Sequence, residues 1–127
     1  MADMKLPALL IEAFDGDEDA VAWTLALKDW MVAELSAWVM EPKSDASRKK
    51  RAERMAERLM LTMEAERELP VFLVRALNEA GAMKGWKALT ERQRLMLLLA
   101  VYRPIQMEGR ERQVQRLVDA AVAKLYR

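Results

Sequence analysis

Neither cysteine nor histidine occurs anywhere in the 127 residues. Without Cys there is no disulfide, no thiol nucleophile and no thiolate metal site. Without His the chain lacks the commonest general base and the commonest transition-metal ligand. Any catalysis would rest on carboxylates, Lys, Arg, Ser, Thr or Tyr, so the chain is expected to be no enzyme and to need no cofactor or metal. Glycine and proline number four each. With β-branched residues also few, material for strands and turns is scarce. The longest unbroken apolar run, Leu95 to Tyr102, falls far short of the roughly 20 residues that a membrane span requires. The chain reaches Asp3 at once, without the apolar run of a secretory leader. A soluble cytoplasmic protein is therefore expected, with no transmembrane segment and no contact with a membrane surface.

Apolar residues make up 53% of the chain and charged residues 32%, with a net charge of +1. That combination supplies a core and argues against a disordered polymer. Leu, Ala, Met, Glu, Lys and Arg dominate, which favours helix nearly throughout.

One helical unit is written twice, about 62 residues apart. Leu6-Pro7 opens the first copy and Leu69-Pro70 the second. The stripe Leu6, Leu9, Leu10, Ala13, Phe14 returns as Leu69, Phe72, Leu73, Ala76, Leu77, and Trp23 returns as Trp86. After a one-residue slip, Leu27, Leu35, Val39, Pro42, Arg48 and Arg54 return as Leu89, Leu97, Val101, Pro104, Arg110 and Arg116. Any two amphipathic helices share a 3.6-residue period, but the paired prolines and arginines lie off the apolar stripe. The expected fold is all-α, with about eight helices in two tandem four-helix units, 1–64 and 65–127, packed into one compact domain.

Each unit reads as four helices. Pro7 suits the first turn of the first, which ends near Asp15-Gly16. Asp17 to Asp19 cap and charge a short second helix carrying Trp23. A third runs from about Lys28 to Met40 and stops before Pro42. Its second-unit counterpart begins at a capping box, Thr90 with Gln93, and Pro104 ends it. The run Leu95 to Tyr102 is apolar all round and is expected to be central and buried on most sides. The fourth helix starts near Ser44 or Asp45, with the face Ala52, Met55, Ala56, Leu59, Met60, Met63. Its counterpart is Val114, Leu117, Val118, Ala121, Val122, Leu125.

Pro7, Leu10, Ala13, Phe14, Trp23, Leu27, Trp38-Val39 and Ser47-Arg48-Lys49-Lys50-Arg51 together form a pattern of apolar and basic positions. In the second copy the carriers are Pro70, Leu73, Ala76, Leu77, Trp86, Leu89 and Gly109-Arg110-Glu111-Arg112. This pattern resembles the C-terminal helical module of the bacterial YdeI/OmdA family (bacteriocin-protection, OmpD-associated), present here as a tandem duplication over nearly the whole chain. The second copy departs from it with Ala100 in place of Trp, Gly109 in place of Ser or Thr, and Gln113 in place of the last Arg. The resemblance implies a small, non-catalytic bacterial protein of stress or antimicrobial-peptide protection. It implies no molecular mechanism.

The run Arg48, Lys49, Lys50, Arg51, continuing to Arg54 and Arg58, spreads over a broad helix face opposite Met55 and Leu59. Together with Arg110, Arg112 and Arg116 it is the candidate anion- or partner-binding surface. Such a face can follow a phosphate backbone. It can equally be a solvated surface laced with Glu53 and Glu57. Charge also segregates: residues 1–64 carry 9 basic and 13 acidic side chains, residues 65–127 carry 12 and 7. This asymmetry can steer association between units or with a second protomer.

Asp15, Asp17 and Asp19 share the opening spacing of a calcium loop, but Ala20 and Ala26 stand where Gly and Glu are needed. Helix capping is the better reading. Of ten methionines, Met55, Met60 and Met63 lie on the apolar stripe and read as core filler. Trp30 fits a core position by type; the second copy has Arg92 there, which marks Trp30 as a candidate interface residue. The expected function is a non-enzymatic interaction module with a protein partner or homodimer. Nucleic-acid or polyanion binding through the basic faces is the alternative.

Overall fold

A computed structural model describes residues 5–103 and 106–126. Among the described residues lie eight α-helices and no strand. The chain divides into two compact units, Met1–Met63 and Glu64–Arg127. The first holds α1 (Ala8–Ala13), α2 (Glu18–Leu25), α3 (Asp29–Met40) and most of α4 (Asp45–Arg67). The second takes the end of α4 and then α5 (Val71–Glu79), α6 (Met83–Ala88), α7 (Glu91–Val101) and α8 (Met107–Leu125). Helices of matching order, two short, one medium and one long, follow the two Leu-Pro openings.

In the first unit Pro7 stands one position before the helix, as the N-cap of α1. Its carbonyl accepts from Leu10 N and Ile11 N at 3.0 and 3.1 Å. A residue without N–H costs nothing there, because the first amides of a helix have no intrahelical acceptor. Asp17 caps α2, its Oδ1 accepting from Ala20 N at 3.0 Å. Ser44 caps α4, its Oγ accepting from Ser47 N at 3.2 Å. Leu10, Phe14, Val32, Val39 and Leu59 are almost wholly buried, at the i, i+3, i+4 intervals that put apolar side chains on one face. Thr24 and Thr62, also buried, return their hydroxyl protons to Ala20 O and Arg58 O one turn earlier.

The second unit repeats the opening: Pro70 caps α5, its carbonyl accepting from Leu73 N and Val74 N, each at 3.0 Å. α5 ends where Gly81 adopts φ 63°. Gly81 N then donates to Asn78 O at 3.0 Å and Ala82 N to Leu77 O at 2.8 Å. That pair of crossed bonds needs a left-handed residue, which glycine supplies without strain. The expected capping box is present, Thr90 Oγ1 accepting from Gln93 N and Gln93 Oε1 from Thr90 N. Leu73, Leu77, Trp86, Leu98, Val101, Leu117 and Ala121 form one core cluster with Ala65 from the end of α4.

α8 packs against α5, α6 and α7. Its approach to α6 is so close that a Cβ on Gly85 would collide with the carbonyl of Ala121. Met96 corrects the expectation of an all-round buried α7, because it is 41% exposed, and Leu95, Leu97 and Ala100 are only partly covered. Three of its residues are buried, Leu98, Leu99 and Val101. The expected stop at Pro104 lies outside the described residues, and α7 is already over at Val101.

Gly85→Ala should lower stability by about 2 kcal/mol, read from the urea midpoint. Alanine favours a helix by about 1 kcal/mol over glycine, so a stabilised variant would show that α6 and α8 do not meet backbone to backbone. Overpacking typically costs about 1–3 kcal/mol, and here the obstruction is a carbonyl that cannot rotate away.

Candidate functional site

Arginines of α4 hold the end of α3. The last carbonyls of any helix lack intrahelical donors. Arg51 Nη1 donates to Trp38 O at 2.8 Å and to Glu41 Oε1 at 3.3 Å. Arg48 Nε donates to Pro42 O at 2.6 Å and Met40 O at 3.2 Å. The Arg51 guanidinium also lies over the Trp38 ring, 4.7 Å from its centroid. Five N–H donors in a planar fork let one arginine stack on an aromatic face and bond a carbonyl together.

Two of the basic residues expected on an open polar face are therefore drawn in. Arg48 precedes Ala52 by four residues and Met55 by seven, so at helical pitch it shares their side rather than the opposite one. Lys49, Lys50 and Arg54 are exposed. In the second unit Arg112 and Arg116, one turn apart on α8, are exposed as well. Arg110 lies over Tyr102, 5.7 Å from its centroid. With Ala100 and Gln113 where the first unit has Trp38 and Arg51, the stacked pair has no counterpart there.

Tyr102 meets Phe72 edge-on, centroids 6.4 Å apart at 89°, a favourable arrangement for two quadrupoles. Burial pushes the Tyr102 phenol above its usual value; nearby Arg110 opposes that and Glu64 adds to it. Phe72, Ala76, Met107, Arg110 and Val114 line an open groove of about 470 Å³ along α5 and α8.

Trp30, the candidate interface residue, lies on the outer side of α3, and what sequence reasoning missed is the row of side chains around it. Trp30 is 43% exposed and Met40 39%, with exposed Ala33 and Ala37 between them. Intervals of three, four and three residues place all four on one helix face. Trp30 thus stands at the surface, not in the core. Met31, Val32, Leu35 and Val39 fill the opposite, buried side. Exposed Asp29 and Glu34 flank the outer stripe, and Glu41 follows it. The available signal was the near absence of charge from Trp30 to Met40, where Glu34 alone is ionisable. Helices that are apolar on two sides need two partners or leave one side open.

Replacing Arg51 with Gln should cost about 1 kcal/mol by chemical denaturation, through the lost cap and ring contact. Lys50→Gln should be neutral within about 0.5 kcal/mol. Equal effects of the two would refute the capping role. Tyr102 ionises above the usual value near 10, so its contribution is fully present below that value. Stability should fall as pH rises through the elevated folded value, and Tyr102→Phe should flatten this alkaline decline.

Among the described residues no group of three or more His, Cys, Asp or Glu is placed to hold a metal ion. No described helix is long and apolar enough to cross a membrane. The chain matches no family model, no curated protein and no solved structure.

Proposed function

We propose that the chain is a non-enzymatic interaction module that works by contact with another protein. The observation that carries this reading is the exposed apolar stripe of α3, Trp30, Ala33, Ala37 and Met40. A lone apolar surface residue needs no explanation, but a contiguous apolar row rimmed by polar residues is one of the marks of an interaction site. The absence of His and Cys supports a role without chemistry. The paired Leu-Pro openings and the matching helix order support a tandem duplication of one helical unit. With it goes membership of the YdeI/OmdA group, and through that a cytoplasmic role in bacterial stress protection.

A second reading is binding of nucleic acid or another polyanion. It draws on exposed Lys49, Lys50 and Arg54 in α4 and on Arg112 and Arg116 in α8. The engagement of Arg48 and Arg51 with α3 leaves it fewer cations than their number promised. Interleaved Glu53 and Glu57 weaken it further.

The two readings separate in one pair of measurements. The protein-contact reading expects a stoichiometric protein to co-purify at moderate salt and to be lost on Trp30→Ala with Ala37→Glu, while helicity persists. Anisotropy titrations against labelled oligonucleotides should meanwhile show no binding. A log-linear decline of oligonucleotide affinity with salt, abolished by Gln at Lys49, Lys50 and Arg54, would replace the first reading with the second.

A further inference from the structure

We propose that the outer face of α3 docks an amphipathic helix of a partner protein whose edges carry Lys and Arg. This rests on the protein-contact reading and names its site and the chemistry of its partner. The stripe from Trp30 to Met40 runs about 15 Å along the helix axis, or about three turns. Its large members stand at the ends, Trp30 at one and Met40 at the other, with Ala33 and Ala37 between them. Low middle ground bounded by two bulky side chains suits a helix laid across or along α3, whose own anchors recur every three or four residues.

Charge decides among the possible occupants. Asp29 and Glu34, both exposed, border the stripe, while Glu41 beyond its end is paired with Arg51. An anionic membrane or a nucleic acid meets like charge at this face. A second copy docked by a two-fold axis pairs residue i with residue j and j with i, and with the axis at mid-stripe the exposed Glu34 beside it comes near its own copy. Like charges so placed are strongly disfavoured. A helix with an apolar stripe and basic edges satisfies both the row of side chains and the rim. The stripe is small, which places the complex in the weak, reversible class of roughly micromolar affinity.

The test uses two labelled synthetic peptides of about five turns, sharing one Leu stripe and edged with Lys and Arg or with Glu. Anisotropy titrations of the full chain should show roughly micromolar binding of the basic peptide. The Glu-edged peptide should bind at least about tenfold more weakly. Ala33→Glu with Ala37→Glu should weaken the basic peptide by about tenfold or more, although it adds negative charge. Asp29→Asn with Glu34→Gln should narrow the gap between the peptides. Trp30→Ala supplies a variant with no added charge, and circular dichroism checks that each variant is folded.

Tighter binding by the Ala33/Ala37 variant would reduce the effect to simple charge attraction and overturn the proposal. Equal binding of the two peptides would overturn the basic occupant and leave a docking face standing. A dimer of the chain alone in sedimentation, abolished by Ala33→Glu with Ala37→Glu, would make the occupant a second copy. If neither peptide binds, the inference fails. The broader reading then survives only if a native partner is still lost on Trp30→Ala with Ala37→Glu.

Discussion

The end of α3 is the constraint on which both functional readings depend. Its final carbonyls need donors that the helix itself cannot give, and α4 supplies them through Arg48 and Arg51. Two consequences follow from one set of hydrogen bonds. Two members of the most conspicuous basic run in the chain have donors tied to backbone carbonyls, although both keep their charge. At the same time α3 is anchored at its C-terminal end with Met31, Val32, Leu35 and Val39 inward, which turns Trp30 and Met40 outward.

The second unit solves its own problems by different means. Where the first unit stacks an arginine on a tryptophan, the second sets Arg110 over Tyr102 and Tyr102 against the edge of Phe72. Its short α6 approaches α8 at Gly85 without an intervening side chain, and Gly81 turns the chain out of α5. Helix order is common to the two units; the residues that fasten the helices differ. The outward apolar row lies on α3 in the first unit, whereas the start of α7 in the second carries exposed Glu91 and Arg92.

Local signals in the sequence were legible where they act over one turn. Asp17, Ser44 and the Thr90–Gln93 box stand at helix starts because side-chain oxygens and orphan amides pair at a spacing of three residues. The eight helices followed from apolar periodicity. What composition could not convey was direction. The run Leu95 to Tyr102 and the segment Trp30 to Met40 are both apolar on more than one side, and periodicity alone does not say which side is covered. Met96 is exposed and Trp30 with it, because coverage depends on neighbours remote in the chain. The fate of Arg48 and Arg51 was hidden for a similar reason: their acceptors are backbone carbonyls, which carry no residue-type signature. Gly85 did leave a trace, a lone glycine inside a helical pattern, which commonly marks close packing.

α4 carries a last consequence. Its 23 residues run past Met63, where the first compact unit ends, and Ala65 belongs to the core cluster of the second. The second unit therefore begins on the last residues of a helix whose longer part belongs to the first. Nucleation is the costly step of helix formation and extension the cheap one, so those last residues gain from being the continuation of a long helix. A chain severed between Met63 and Glu64 keeps Ala65 on the later fragment but leaves it on a stub, 64–67, far too short to hold a helix by itself.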